Sequence, residues 1–176
     1  MKKQYLFLAV GLFIFGACQK DEISEENLEI EDKPVEYFTA SIDDREFDAK
    51  DPELIGGYAY PSPDSGIINF DFSADVYDGE DFIQSLNFKV CFYDGPGTYE
   101  TGTKKTVSWA FYWFGDGYWE NHWMYGNPPG QVIVTKADDS FVEGTFEFEA
   151  YNGETENTIH VKGKFGVLLE KPEHWY

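Results

Sequence analysis

Strict alternation between apolar and polar residues limits what this chain can fold into more than any other feature. Ile68, Phe70, Phe72, Ala74 and Val76 alternate with Asn69, Asp71, Ser73 and Asp75, and Phe146, Phe148 and Ala150 with Thr145, Glu147, Glu149 and Tyr151. Successive strand side chains point to opposite faces, so each stretch has one face to bury and one acidic or polar face for water. Further strands are predicted near 37–43, 46–50, 54–60, 83–93, 106–114, 118–125, 131–136 and 157–169, separated by Gly-, Pro-, Asn- and Asp-rich turns such as Asp94-Gly95-Pro96-Gly97 and Gly115-Asp116-Gly117. No helix-length 3.6-residue periodicity occurs beyond the N-terminal leader. About ten antiparallel strands must stack as two sheets or close on themselves to bury their apolar faces. The expectation is all-β: a single antiparallel β-sandwich over 37–176, with a barrel-like closed sheet as the alternative.

The N-terminus reads differently. Met1-Lys2-Lys3 precedes an uncharged apolar run from Leu6 to Phe15, then Gly16, Ala17 and Cys18. That run is far short of the roughly 20 residues a spanning helix needs and has the length of a signal h-region. Phe15-Gly16-Ala17-Cys18 resembles the bacterial lipobox, with Phe15 in place of the usual Leu. The resemblance implies a leader over 1–17 and lipidation of Cys18, making the membrane a partner through an N-terminal lipid. Residues 18–36 hold eight acids, two lysines and no aromatic, the composition of an extended tether. Its Gln19-Lys20-Asp21-Glu22 and Ser24-Glu25-Glu26 resemble the export signal of Bacteroidota lipoproteins, which implies the outer membrane and display at the cell surface.

The chain carries a net charge of −20, and loss of Lys2 and Lys3 with the leader makes the remainder more acidic still. This balance excludes nucleic acid and adhesion to anionic lipid through a basic patch. With Cys18 consumed by lipid, Cys91 has no partner for an intrachain disulfide; it sits opposite Leu86, Phe88, Val90 and Phe92 in the alternation and reads as an inert thiol. His122, His160 and His174 are far apart, no nucleophile elbow or phosphate loop occurs, and the acids Asp71, Asp75, Asp78, Glu80 and Asp81 lack calcium-loop spacing. No catalytic residue, metal or cofactor is assigned. Asp116 and Glu120 are the carboxyl pair a glycoside-active enzyme would draw on, the least favoured reading.

Phe38-Thr39-Ala40-Ser41-Ile42-Asp43, with Phe47 and Ala49, is similar to the opening hairpin of a group of uncharacterised Bacteroidota lipoprotein domains, whose strand usually reads Phe-x-Ala-x-Val-Asp-Gly. Asp44 stands where their glycine usually is. Gly97-Thr98-Tyr99, Gly144-Thr145-Phe146-Glu147-Phe148 and Gly163-Lys164-Phe165 follow in the order those domains carry them. The resemblance implies a β fold and an envelope location, and brings no catalytic residues.

From Trp109 to Tyr125 the chain holds nine aromatics in 17 residues, more than one core-facing stripe accommodates. The loop chosen at Gly115-Asp116-Gly117 decides which rings share a face. A three-residue loop, the favoured register, groups Val107, Trp109, Phe111 and Trp113 with Trp119, Trp123 and Tyr125; a two-residue Asp116-Gly117 turn moves Trp119 and Trp123 to join Tyr112 and Phe114. The plainest expectation is that most of these rings bury one another. Any that emerge beside Glu120, Asn121 and His122 suit either a sugar, whose C–H face stacks on a ring, or another envelope protein. The candidate ligand-binding residues are Tyr112, Tyr118, Trp119, Glu120, His122 and Trp123.

Overall fold

The computed structural model describes residues 34–170. The leader, Cys18, the export signal and most of the tether lie outside the described residues, as does His174. Eleven strands form: β1 (Tyr37–Ile42), β2 (Arg45–Ala49), β3 (Ile55–Pro61), β4 (Ile68–Asp78), β5 (Asp81–Cys91), β6 (Gly97–Thr101), β7 (Trp109–Phe114), β8 (Gly117–Asn121), β9 (Gly130–Ala137), β10 (Phe141–Asn152) and β11 (Asn157–Leu168). All strand pairs are antiparallel and belong to one sheet, ordered β2-β1-β11-β10-β8-β7-β5-β4-β3, with β9 on β10 and β6 on β9. The all-β reading holds, and the apolar faces are buried by one sheet curling nearly shut rather than by two separate sheets. A parallel bridge between Gly57 and Leu169, with the Glu170 amide donating to the Gly57 carbonyl at 2.9 Å, brings β3 to the end of β11.

The alternating residues build the core as their period demands. Phe70, Phe72 and Ala74 of β4 and Phe146, Phe148 and Ala150 of β10 are buried. Phe72 stacks on Phe88 at 4.5 Å and on Phe165 at 4.3 Å, and Phe38 packs within 5.4 Å of Phe146, so rings from five strands meet on the axis. Each such pair is worth about 0.5–1.5 kcal/mol beyond its buried area.

Several element boundaries differ from expectation. β5 stops at Cys91 because Phe92 adopts φ 61, which leaves its ring exposed and lets Tyr93 pack on Phe70 at 4.9 Å. Cys91 itself lies on the outer side, opposite buried Leu86, Phe88 and Val90, as the alternation predicted. Val107 sits at φ 55, so β7 starts at Trp109 rather than at 106. The predicted strand 118–125 breaks at Asn121. That side chain is buried, accepts from the Thr101 hydroxyl at 2.7 Å and donates to the carbonyls of Glu149 (2.8 Å) and Pro128 (3.2 Å). The chain then makes a 3₁₀ turn over Trp123–Tyr125, ended by Gly126 at φ 71. β6 was not anticipated as a strand; it pairs only with β9 and buries little but Thr101.

Candidate functional site

The β7–β8 hairpin decides which rings face outward. Phe114 pairs with Gly117 and Tyr112 with Trp119, so the loop is Gly115-Asp116, with positive φ at Gly115 alone, as a type II′ turn requires. The favoured three-residue loop is thereby corrected. The parity is that of the alternative register, because Trp119 joins Tyr112 and Phe114, although the turn residues are one earlier and Trp123 lies beyond the strand. A glycine able to take positive φ stood at both ends of Gly115-Asp116-Gly117, so the sequence did not discriminate between them.

The candidate residues consequently separate. Tyr112 and Trp119 face the interior: the Tyr112 hydroxyl donates to Gln84 Oε1 at 2.9 Å, and Trp119 Nε1 donates to Asn157 Oδ1 at 2.9 Å. The Arg45 guanidinium lies over Phe114, Tyr112 and Trp119 at 4.7, 5.6 and 6.0 Å, covering this end of the core with a cation–π cluster. Neither ring reaches an outward ligand, and buried Asn121 does not offer its amide to one either.

Tyr118, Glu120 and His122 come together on the outer face. With Trp109, Phe111 and Met124 they line an open cavity of about 240 Å³. Trp109 stacks on Phe111 (5.1 Å, 21°), Phe111 meets Tyr118 at 5.4 Å, and Trp113 meets Tyr118 edge-on at 5.6 Å. The Tyr118 hydroxyl donates to Glu120 Oε1. Burial, then the Glu120 bond and charge, hold the Tyr118 hydroxyl far above its ordinary pKa, so it stays protonated. His122 Nδ1 accepts from the Met124 amide at 3.4 Å, and the His122 ring contacts Trp123, which is exposed and lies under Lys104. Asn127 Nδ2 donates to the Glu120 carbonyl at 2.9 Å, tying the following loop to the pocket floor.

Sequence reasoning missed a second outer-face cluster. Tyr58 and Tyr60 of β3 stack at 5.3 Å and both donate to Asp71 Oδ2, at 3.4 and 3.0 Å. Lys89 Nζ donates to the Tyr60 hydroxyl at 2.7 Å and lies 3.9 Å from Asp71 Oδ2, while Asp71 Oδ1 is buried without a hydrogen-bond partner. Burial raises the Asp71 pKa and outweighs the opposing pulls of Lys89 and both tyrosines. A raised folded-state value means that its contribution to stability is present below the ordinary carboxylate pKa and is lost as pH rises through the raised one. Burial draws the Lys89 ammonium down, but its Tyr60 bond and the Asp71 charge lift it above its ordinary value. The available signal was Tyr58 and Tyr60 alternating with Gly57 and Ala59.

Asp71 therefore belongs to a tyrosine–lysine network and not to an acidic face shared with Asp78 and Glu80. Among the described residues no group of three or more His, Cys, Asp or Glu side chains is placed to hold a metal. Burial pushes the Cys91 thiol up, away from reactivity.

No curated protein and no solved structure matches the chain. A family model described as a domain of unknown function, DUF6252, matches residues 70–170, more than half of the chain, from β4 through β11. The matched span contains the whole β7–β8 pocket, and the protein belongs to this family of uncharacterised domains.

Proposed function

We propose that this protein is a lipid-anchored binding module of a Bacteroidota outer envelope, displayed at the cell surface, that holds carbohydrate without transforming it. The observation that carries the reading is the outward pocket in which stacked Trp109 and Phe111 stand beside Tyr118, Glu120 and His122. Stacked rings offer a planar apolar surface to the C–H face of a sugar, and a carboxylate and an imidazole at its rim can take hydroxyls. Glu120 is oriented by the Tyr118 hydroxyl, which suits an acceptor held in fixed geometry. Titration of neutral and amino sugars should shift tryptophan fluorescence. Trp109→Ala should weaken binding several-fold to tenfold, corresponding to about 1 kcal/mol or somewhat more for a lost stacking ring, with the fold retained. Absence of binding across a broad glycan panel would overturn the reading.

A protein partner is the second reading, favoured by the adjacent β4–β5 and β7–β8 hairpins. Tyr77, Phe82, Trp113 and Phe114 are all exposed there, and Gly115 N donates to the Ile83 carbonyl, joining the two turns. Exposed rings grouped in this way mark contact surfaces more often than scattered ones.

A further inference from the structure

We infer that the carbohydrate site continues across the sheet to a second aromatic subsite at Tyr58 and Tyr60, so that its ligand is a neutral or amino-sugar oligosaccharide lying across β3, β4, β5 and β7. This inference rests on the carbohydrate reading of the β7–β8 pocket and adds the length and charge of the ligand. The strand registers carry it. Tyr58 pairs with Asp71, Asp71 with Lys89, and Lys89 with Trp109, so one row of partners runs straight from β3 to β7. In the next row Gly56, Ser73, Asn87, Phe111 and Glu120 follow one another in the same way.

The two ends of this surface match. On β3 the rings of Tyr58 and Tyr60 stack at 5.3 Å and 29°; on β7 the rings of Trp109 and Phe111 stack at 5.1 Å and 21°. Each pair lies at positions i and i+2 of its strand, which puts both on one face. In these two rows the polar side chains of Asp71, Ser73, Asn87 and Lys89 lie between them. Strands in a sheet lie about 4.8 Å apart, so the two ring pairs are separated by three intervals, about 14 Å. One sugar ring cannot touch both. A chain of several sugars can, stacking at either end while its hydroxyls meet the polar floor.

The floor also selects for charge. Lys89 is the one cation in its row, and its ammonium is already engaged by the Tyr60 hydroxyl and the Asp71 carboxylate. With Asp71 and Glu120 on the same surface, anionic sugars are repelled and neutral or amino sugars are admitted. Gly56 adds no side chain to the floor beside Tyr58, where a Cβ would lie 3.7 Å from Glu170 Oε1.

The test uses oligomers of glucose, mannose, xylose and N-acetylglucosamine, each from dimer to hexamer, titrated against the protein and against Tyr58→Ala, Tyr58→Phe and Trp109→Ala. Affinity should rise with length until both ring pairs are engaged, because the second contact is then intramolecular. Tyr58→Ala should lower affinity several-fold to tenfold for the long oligomers and leave the dimers unchanged, and Tyr58→Phe, which keeps the ring, should restore it. Trp109→Ala should weaken long and short oligomers alike. Dimers and hexamers binding equally, or Tyr58→Phe behaving like Tyr58→Ala, would overturn the second subsite while leaving the β7–β8 pocket standing. Absence of binding by every oligomer would overturn the carbohydrate reading and the second subsite with it.

Discussion

Gly144 shows how a short motif translates into packing. A Cβ at this position would meet the Ile133 carbonyl oxygen at 2.1 Å and the Phe165 ring at 3.0 Å, beside the bulge between Glu143 and Gly144 where the β9–β10 register shifts. Gly163 is equally confined, with the Thr39 carbonyl oxygen 2.3 Å and the Phe146 ring 2.4 Å from where a Cβ would lie. The Gly-Thr-Phe and Gly-Lys-Phe motifs thus pair a glycine that admits backbone or ring with a phenylalanine that fills the core. Gly144→Ala has no flexible neighbour to displace at the carbonyl and is expected to destabilise the domain by about 1–3 kcal/mol or more. Denaturant unfolding with an unchanged slope would measure this, and a variant as stable as the parent would show that β9 yields at the bulge.

At the scale of elements, the alternation in β4 and β10 was legible because Phe70, Phe72 and Ala74, like Phe146, Phe148 and Ala150, bury one face along the middle of their strand, so that period two appears directly in the residues. The β7–β8 hairpin was not, since aromatic residues occupy both of its faces and the pattern carries no parity. Only the turn assigns the faces, and it places Trp119 inside and Trp113 outside. Of the candidate ligand set, Tyr118, Glu120 and His122 lie together on the outer face, whereas Tyr112 and Trp119 belong to the core. The hairpin makes opposite predictions for its two tryptophans. Trp119→Ala removes an interior ring and the Nε1 bond to Asn157, and should cost about 3–5 kcal/mol. Trp113, 45% exposed, should cost only about 1 kcal/mol when replaced by alanine. Melting temperatures of the two variants decide between the registers, and a reversed order would favour the three-residue loop, with Trp119 outward.

For the molecule as a whole, the choice between sandwich and closed sheet depended on contacts far apart in sequence, above all Gly57 with Leu169, which no local pattern announces. The closed form has a consequence for attachment to the membrane. Outward positions on β4 and β10 carry Asp71, Ser73, Asp75, Thr145, Glu147 and Glu149, while the phenylalanines of these strands fill the inside; a barrel that spans a bilayer needs the reverse, an apolar band outward. No helix among the described residues is long and apolar enough to cross a membrane. A net charge of −20 opposes adhesion to anionic lipid. On the proposed reading the lipid on Cys18 is then the sole attachment. β1 starts at Tyr37 beside Gly166, at the end of the barrel opposite the β1–β2 and β10–β11 turns, and the β4–β5 and β7–β8 turns lie at that opposite end too. Cys18→Ala should, on that reading, move the protein from the membrane pellet to the soluble fraction without altering the folded domain, because no helix between residues 34 and 170 is long and apolar enough to cross a membrane. Fractionation of cells expressing the variant checks this, and sedimentation of the alanine form with the outer membrane would show that a partner protein, not the lipid, retains it there.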